Sequence, residues 1–163
     1  MPRHSRLDIV GQLYHVMARG IERRKLFLDA EDYKNFLSRL KAGLDKTGNK
    51  CLAWCLMPNH FHLLVQNLDD GIVSVYMHRV LTAYGKYFNT KYHKKGHVFE
   101  GPFKAVHIKN NNQLLHLSAY IHKNPKEIKT WEDNYDKYPH SSYQDFIGLN
   151  RWGNLLSTDI VLK

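Results

Sequence analysis

Met57-Pro58-Asn59-His60-Phe61-His62-Leu63-Leu64-Val65 is the stretch on which the reading of the fold turns. Pro58-Asn59 is a turn signal, and the apolar run behind it reads as a β-strand with two histidines one residue apart at its start. Side chains alternate across a strand, so His60 and His62 share one face while Phe61, Leu63 and Val65 take the other. Two imidazoles on one face can point at a single metal ion. The same spacing also suits a pair of surface or hydrogen-bonded histidines, and the strand alone leaves both readings open.

Working outward, Lys50 to Met57 is a second apolar run, so the two runs form a hairpin about Pro58-Asn59. Upstream, Tyr14, Val16 and Ala18 alternate against His15, Met17 and Arg19, which places a first strand over 12–19. Gly20 ends it, and Glu22-Arg23-Arg24-Lys25 is a charged loop. Asp29 reads as an N-cap with Glu31 and Asp32 in the first turn; Tyr33, Phe36, Leu37, Leu40 and Leu44 then recur at helical spacing over about 30–46. Downstream, Asn67 to Gly71 is a polar turn, and apolar residues at helical spacing predict a second helix over about 72–92. Its end runs into the basic loop Lys91-Tyr92-His93-Lys94-Lys95-Gly96. Phe103 to Ile108 alternates as a fourth strand. Asn110 to Asn112 caps a third helix, which must stop at Asn124-Pro125 because the residue before proline disfavours helical geometry.

The order β, α, β, β, α, β, α predicts an α+β fold. It is an antiparallel sheet with helices packed on one face, the ferredoxin-like split βαβ arrangement, followed by a C-terminal tail. We read residues 1–163 as a single domain, with a core over about 7–125 and an extension over about 126–163 that packs short helical pieces on the body. Residues 1–6 read as a basic arm. On this plan His60 and His62 lie on the open face of the sheet.

The chain has 163 residues, 43% of them hydrophobic, enough for a real core. Its 24 Lys and Arg against 15 Asp and Glu give a formal net charge of +9, the signature of a polyanion partner. No run of about 18 apolar residues and no signal-peptide pattern occurs, which predicts a cytoplasmic protein with no membrane partner. Cys51 and Cys55 read as small strand hydrophobes. If 50–56 is a strand, the two sit on one face but too far apart along it for a disulfide.

A metal at His60 and His62 needs at least one more ligand and open positions for a substrate. On the third helix Tyr120 and Asn124, four residues apart, project on the same side and can approach one site together. Read singly, Tyr120 also suits a half-buried core aromatic and Asn124 a helix end before proline. His116 and His122 flank Tyr120 and read as surface histidines.

Met-Pro-Asn-His60-Phe-His62-Leu-Leu-Val followed by Tyr120-Ile-His-Lys-Asn124-Pro125 resembles the single-tyrosine transposases of the HUH superfamily, especially the REP-associated tyrosine transposases and their insertion-sequence relatives. Tyr14-His-Val-Met-Ala-Arg-Gly20, the segment Gly96 to Phe103 and Tyr138-Pro-His-Ser-Ser-Tyr143 extend the likeness over about residues 10–148. The resemblance implies an HUH endonuclease core acting as a DNA transposase-like single-strand endonuclease and strand transferase. His60, His62 and Asn124 would hold a divalent ion, Mg²⁺ or Mn²⁺, and Tyr120 would be the nucleophile that forms a 5′-phosphotyrosine link. Many relatives carry glutamine where Asn124 stands; asparagine offers the same carbonyl on a shorter arm.

The implied substrate is single-stranded or hairpin DNA. Arg19, Arg23, Arg24, Lys91, Lys94, Lys95, Lys104 and Lys109 are candidates for phosphate contacts, and Tyr92 or Phe99 for base stacking. A homodimer, with Tyr120 working in cis or in trans, fits the resemblance equally. The alternative from another class is a hairpin or single-strand nucleic-acid-binding regulator on the same fold that does not cut. A zinc hydrolase ranks last, because no carboxylate base stands beside the histidine motif.

Overall fold

The alternation read in the central strands is realised in a four-stranded sheet. In the computed structural model, residues 11–47, 49–67, 73–148 and 151 are described. The basic arm at 1–6, most of the turn at 67–71 and the end of the tail beyond 151 lie outside them. The strands are β1 (Leu13–Arg19), β2 (Lys50–Met57), β3 (His60–Gln66) and β4 (Lys104–Ile108), and the long helices are α1 (Ala30–Thr47), α2 (Val73–Tyr92) and α3 (Asn111–Lys123). The sheet order is β2-β3-β1-β4 with every neighbour antiparallel, as the split βαβ plan requires. The pairing sets Met17 opposite His62 and Arg19 opposite His60.

One strand departs from strict alternation. Between Cys51 and Ala53 the β2–β3 register shifts, so Leu52 is an extra residue, a β-bulge. The parity of β2 flips there. Cys51 joins Trp54 and Leu56 in one core, while Leu52, Ala53, Cys55 and Met57 join the other. The two free cysteines therefore sit on opposite faces, which corrects the expectation of a shared one.

The larger core packs α1 and α2 on the face carrying Tyr14, Val16, Phe61, Leu63 and Val65. Asp29 caps α1 as read: its Oδ1 accepts the Asp32 N–H at 3.0 Å, and Asp32 Oδ2 accepts the Leu28 N–H at 2.9 Å. The helices approach closely at Gly43, where a Cβ would lie 2.4 Å from the Tyr76 ring. Tyr76 completes the contact by donating its hydroxyl to Leu40 O at 2.8 Å.

The opposite face is not open along its whole length. Leu114 and Ile121 of α3 pack with Tyr138 against Leu52, Ala53, Cys55, Met57, Leu64 and Ile108. The helices α1 and α2 share one face as read, but α3 roofs part of the other, because Leu114, Ile121 and the odd-parity residues of β2 need burial too.

After α3 the chain makes 3₁₀ turns at Asn124–Glu127, Lys129–Trp131 and Tyr135–Lys137, then the one-turn helix α4 (Tyr143–Phe146). The segment between closes the exposed edge of β2. Leu56 N donates to His140 O at 2.8 Å, Ser142 N to Trp54 O at 2.9 Å, and Trp54 N to Ser142 Oγ at 2.9 Å. A sheet edge left bare would be a template for pairing with another chain, and the tail removes it.

Candidate active site

Both motifs meet. His60 and His62 project from the start of β3, and α3 lays Tyr120 across them: the Tyr120 ring stands edge-on to His62 with centroids 5.7 Å apart. His60 and His62 are themselves edge to face at 5.1 Å. Asn124 follows Tyr120 by one turn. The α-helix ends at Lys123, but Asn124 keeps helical dihedrals and the chain continues as the 3₁₀ turn Asn124–Glu127, with Pro125 in its first positions. Proline at the head of that turn costs nothing, since its missing N–H is not needed there. The Asn124 side chain therefore stays on the Tyr120 side. Its Nδ2 donates to Tyr120 O at 3.2 Å.

These groups line one cavity of about 470 Å³ together with Met17, Arg19, Arg23, Asn59, Glu100, Lys104 and Glu127. Tyr120 is 51% exposed and open to an incoming strand, whereas His62 and Asn124 are buried beneath it. Burial lowers the His62 imidazole to about 3, helped by the neighbouring His60 and His15, and lowers His60 by the same cause. Both rings are thus neutral at physiological pH, the state in which an imidazole nitrogen can bind a metal.

His60 Nδ1 lies 2.7 Å from Asn59 Oδ1, and His62 Nδ1 lies 2.9 Å from His15 Nε2. Each Nδ1 therefore faces a neighbour, and Nε2 is the nitrogen of each ring that could take a further partner. Two imidazoles and the Asn124 carboxamide suit a divalent ion that completes its shell with phosphate oxygens or water. Among the described residues no group of three His, Cys, Asp or Glu side chains is placed to hold a metal.

Arg19, Arg23 and Lys104 of the expected phosphate contacts line this cavity. Arg19 is paired there with Glu100 at 2.9 Å. Arg23 is carried to the rim by an unusual turn in which Glu22 and Arg23 both have positive φ, 54° and 59°. Left-handed backbone at two successive non-glycine residues is uncommon, and it clusters where a loop must aim a side chain. Arg24, Lys94, Lys95 and Lys109 are exposed but not among the cavity residues.

Two expectations need correction. Lys91 is not available to phosphates: its Nζ binds Asp29 at 2.8 Å and Asp32 at 2.9 Å, a knot that also takes the Tyr87 and Tyr92 hydroxyls on Asp32. Burial by itself would raise the Asp32 carboxyl. Hydrogen bonds from Tyr92, the Leu28 N–H, Lys91 and Tyr87 outweigh that effect and hold it below the usual carboxylate value. Tyr92 and Phe99 are committed as well, Tyr92 to this knot and Phe99 to packing edge-on against Phe61 at 6.2 Å, so neither is free to stack on a base.

His116 is exposed, as read, but His122 is buried and bonded to Ser142 Oγ at 2.7 Å. Ile121 and His122 turn towards the sheet and tail while Tyr120 turns towards the cavity, so helical periodicity separates their roles.

Two residues next to the motif histidines were not singled out from the sequence. His15 joins the histidine cluster from β1, through its contact with His62. Glu127 stands at the cavity beside His60 and favours that ring's charged form. The sequence therefore lacked a carboxylate near the motif, but the fold supplies one from the first 3₁₀ turn after α3, too far along the chain for a motif to reveal.

The chain resembles a REP-associated tyrosine transposase solved bound to a REP hairpin: TM-score 0.73 and 17% identity over 93% of this chain and 88% of that one. A candidate transposase from Deinococcus radiodurans R1 aligns with TM-score 0.51 and 15% identity, over 69% of this chain and 90% of that one. At such identities the likeness shows a shared fold. Among curated protein sequences none matches. Residues 9–124, from β1 through Asn124, match the family described as IS200-like transposases. That span covers the four strands, the histidine pair and the tyrosine helix, and the chain belongs to the IS200-like transposase family.

Proposed function

We propose that this transposase cuts and rejoins single-stranded DNA, through Tyr120 as nucleophile at a divalent metal site held by His60, His62 and Asn124. The observation that carries the reading is the contact of the Tyr120 ring with His62 in one cavity that His60 and Asn124 also line. Tyr120 Oη attacks the scissile phosphorus and loses its proton to solvent. The P–O3′ bond breaks, the 3′ oxygen takes up a proton, and the 5′ phosphate stays on the tyrosine. Attack by a free 3′-hydroxyl on that phosphotyrosine reverses the step on the same or another end. A phenol of ordinary pKa near 10 is a weak nucleophile at neutral pH, and Mg²⁺ or Mn²⁺ in the site would share the phosphate charge.

The residues divide the remaining work. His60 and His62 offer neutral imidazoles from a rigid strand, and Asn124 offers a carbonyl oriented by its Nδ2 bond to Tyr120 O. Arg23 and Lys104 lie where the backbone of a strand entering the cavity would pass. Hairpin DNA as the bound partner draws support from the similarly folded relative that was solved with a REP hairpin.

The test is Tyr120→Phe. The variant should fold and bind hairpin DNA but form no covalent adduct with a labelled single strand on a denaturing gel; an adduct that persists would sink the assignment.

A further inference from the structure

His15 belongs to neither motif, yet it is buried at the centre of the site. Alternation along β1 puts residues 13, 15, 17 and 19 on the histidine face, and Met17 is the residue directly opposite His62. His15 is therefore the diagonal neighbour of His62, within reach for a long side chain. Its Nε2 lies 2.9 Å from His62 Nδ1, and the rings meet edge to edge, with centroids 5.1 Å apart and 23° between their planes. His15 is 7% exposed and His62 6%, so water is poorly placed to replace the contact. The His15 ring also meets Tyr120 edge-on at 6.5 Å.

A neutral imidazole has one N–H and one bare nitrogen, and the atom bonded by a neighbour decides which is which. At His60 the neighbour is a carboxamide oxygen, which only accepts. The hydrogen must then sit on Nδ1, leaving Nε2 bare. At His62 the neighbour is another imidazole, which can accept or donate, so the outcome depends on which tautomer His15 adopts.

We propose that His15 is a positioning residue that accepts the His62 Nδ1–H, holding His62 in the tautomer and orientation whose bare Nε2 faces the metal position beside Tyr120. This rests on the metal site proposed above. It assigns the first strand a part in that site, through a residue that touches neither the cation nor the DNA.

Three proteins and two readouts test it. In the metal-free wild type, long-range ¹H–¹⁵N correlation spectra should show His62 protonated on Nδ1 and bare on Nε2. His15→Gln carries an oxygen acceptor near the position of the imidazole Nε2, and should keep both that tautomer and wild-type Mn²⁺ affinity by calorimetry. His15→Phe keeps the ring but removes the acceptor. It should lose the tautomer and weaken Mn²⁺ binding by about 10- to 100-fold, the usual effect of losing a ligand's orienting partner, with an unchanged circular dichroism spectrum.

A wild-type His62 protonated on Nε2 would overturn the proposal. So would His15→Phe binding Mn²⁺ like wild type while His62→Ala does not. Wild-type Mn²⁺ binding by His62→Ala would instead overturn the metal site itself, and the tautomer spectra would still report on His15 separately.

Discussion

Ser142→Ala removes one oxygen atom and should cost the protein about 2–4 kcal/mol. Ser142 is fully buried between the tail, the edge strand and α3. Its Oγ accepts the Trp54 N–H at 2.9 Å and is bonded to His122 Nε2 at 2.7 Å. Without the hydroxyl, a backbone donor of β2 and an imidazole nitrogen of α3 both lose a partner. A buried polar group left unsatisfied costs about 1–3 kcal/mol, and some local relaxation returns part of the sum of two such groups. Burial holds the His122 ring neutral, with its pKa lowered to about 4, so protonation does not relieve the defect at pH 7.

Urea unfolding followed by circular dichroism should therefore show the midpoint falling by roughly 1–2 M at unchanged slope, taking a slope of about 2 kcal/mol/M for a domain of this size. Ser38→Ala removes an exposed hydroxyl bonded to Lys34 O and serves as the control, with a change within about 0.5 kcal/mol. If Ser142→Ala is as mild as the control, the hydroxyl does not tie the tail to the sheet and α3, and the reasoning fails.

His122 and His140 are both lowered to about 4 by burial, His140 with help from the Arg151 charge, while an unfolded histidine titrates near 6.5. Their stabilising effect is complete above pH 6.5 and is lost as pH falls towards 4. Within that window the slope approaches about 1.4 kcal/mol per pH unit for each ring, reduced for His140 by its partial exposure. Urea midpoints at pH 7, 6 and 5 check this, and a flat profile contradicts it. Gly43→Ala sets a helix-propensity gain of up to about 1 kcal/mol against a Cβ placed 2.4 Å from the buried Tyr76 ring. Overpacking costs about 1–3 kcal/mol, so the variant should melt lower than wild type, and a higher melting temperature would show that the helices can separate freely. Chelation with EDTA should abolish adduct formation by the wild type without changing its fold, and Mn²⁺ should restore it; adducts formed at wild-type rate in EDTA would exclude the metal-assisted step.

Local rules made much of this protein readable from its sequence. The period of two in β1 and β3 assigns residues to faces without any knowledge of the partner strand. That is why the sequence puts His60 and His62 on one face and Phe61 on the other, as the fold does. Asp29 and Asn110 cap helices through hydrogen bonds that span only a few residues, which a sequence displays directly.

What the sequence concealed depended on partners distant along the chain. The bulge at Leu52 adds a residue that no composition rule signals, and it reverses the faces of Cys51 and Cys55. Lys91 looked like a phosphate ligand because its partners Asp29 and Asp32 are about sixty positions away, at the other end of a helix pair. The bond between His15 and His62, and the arrival of Glu127 beside His60, exist only because antiparallel pairing and the turn after α3 bring those segments together. Residue types and periods are properties of neighbours in sequence. The second histidine contact, the acid at the cavity and the roof over part of the sheet are properties of register and packing, and those were decided by the tertiary structure.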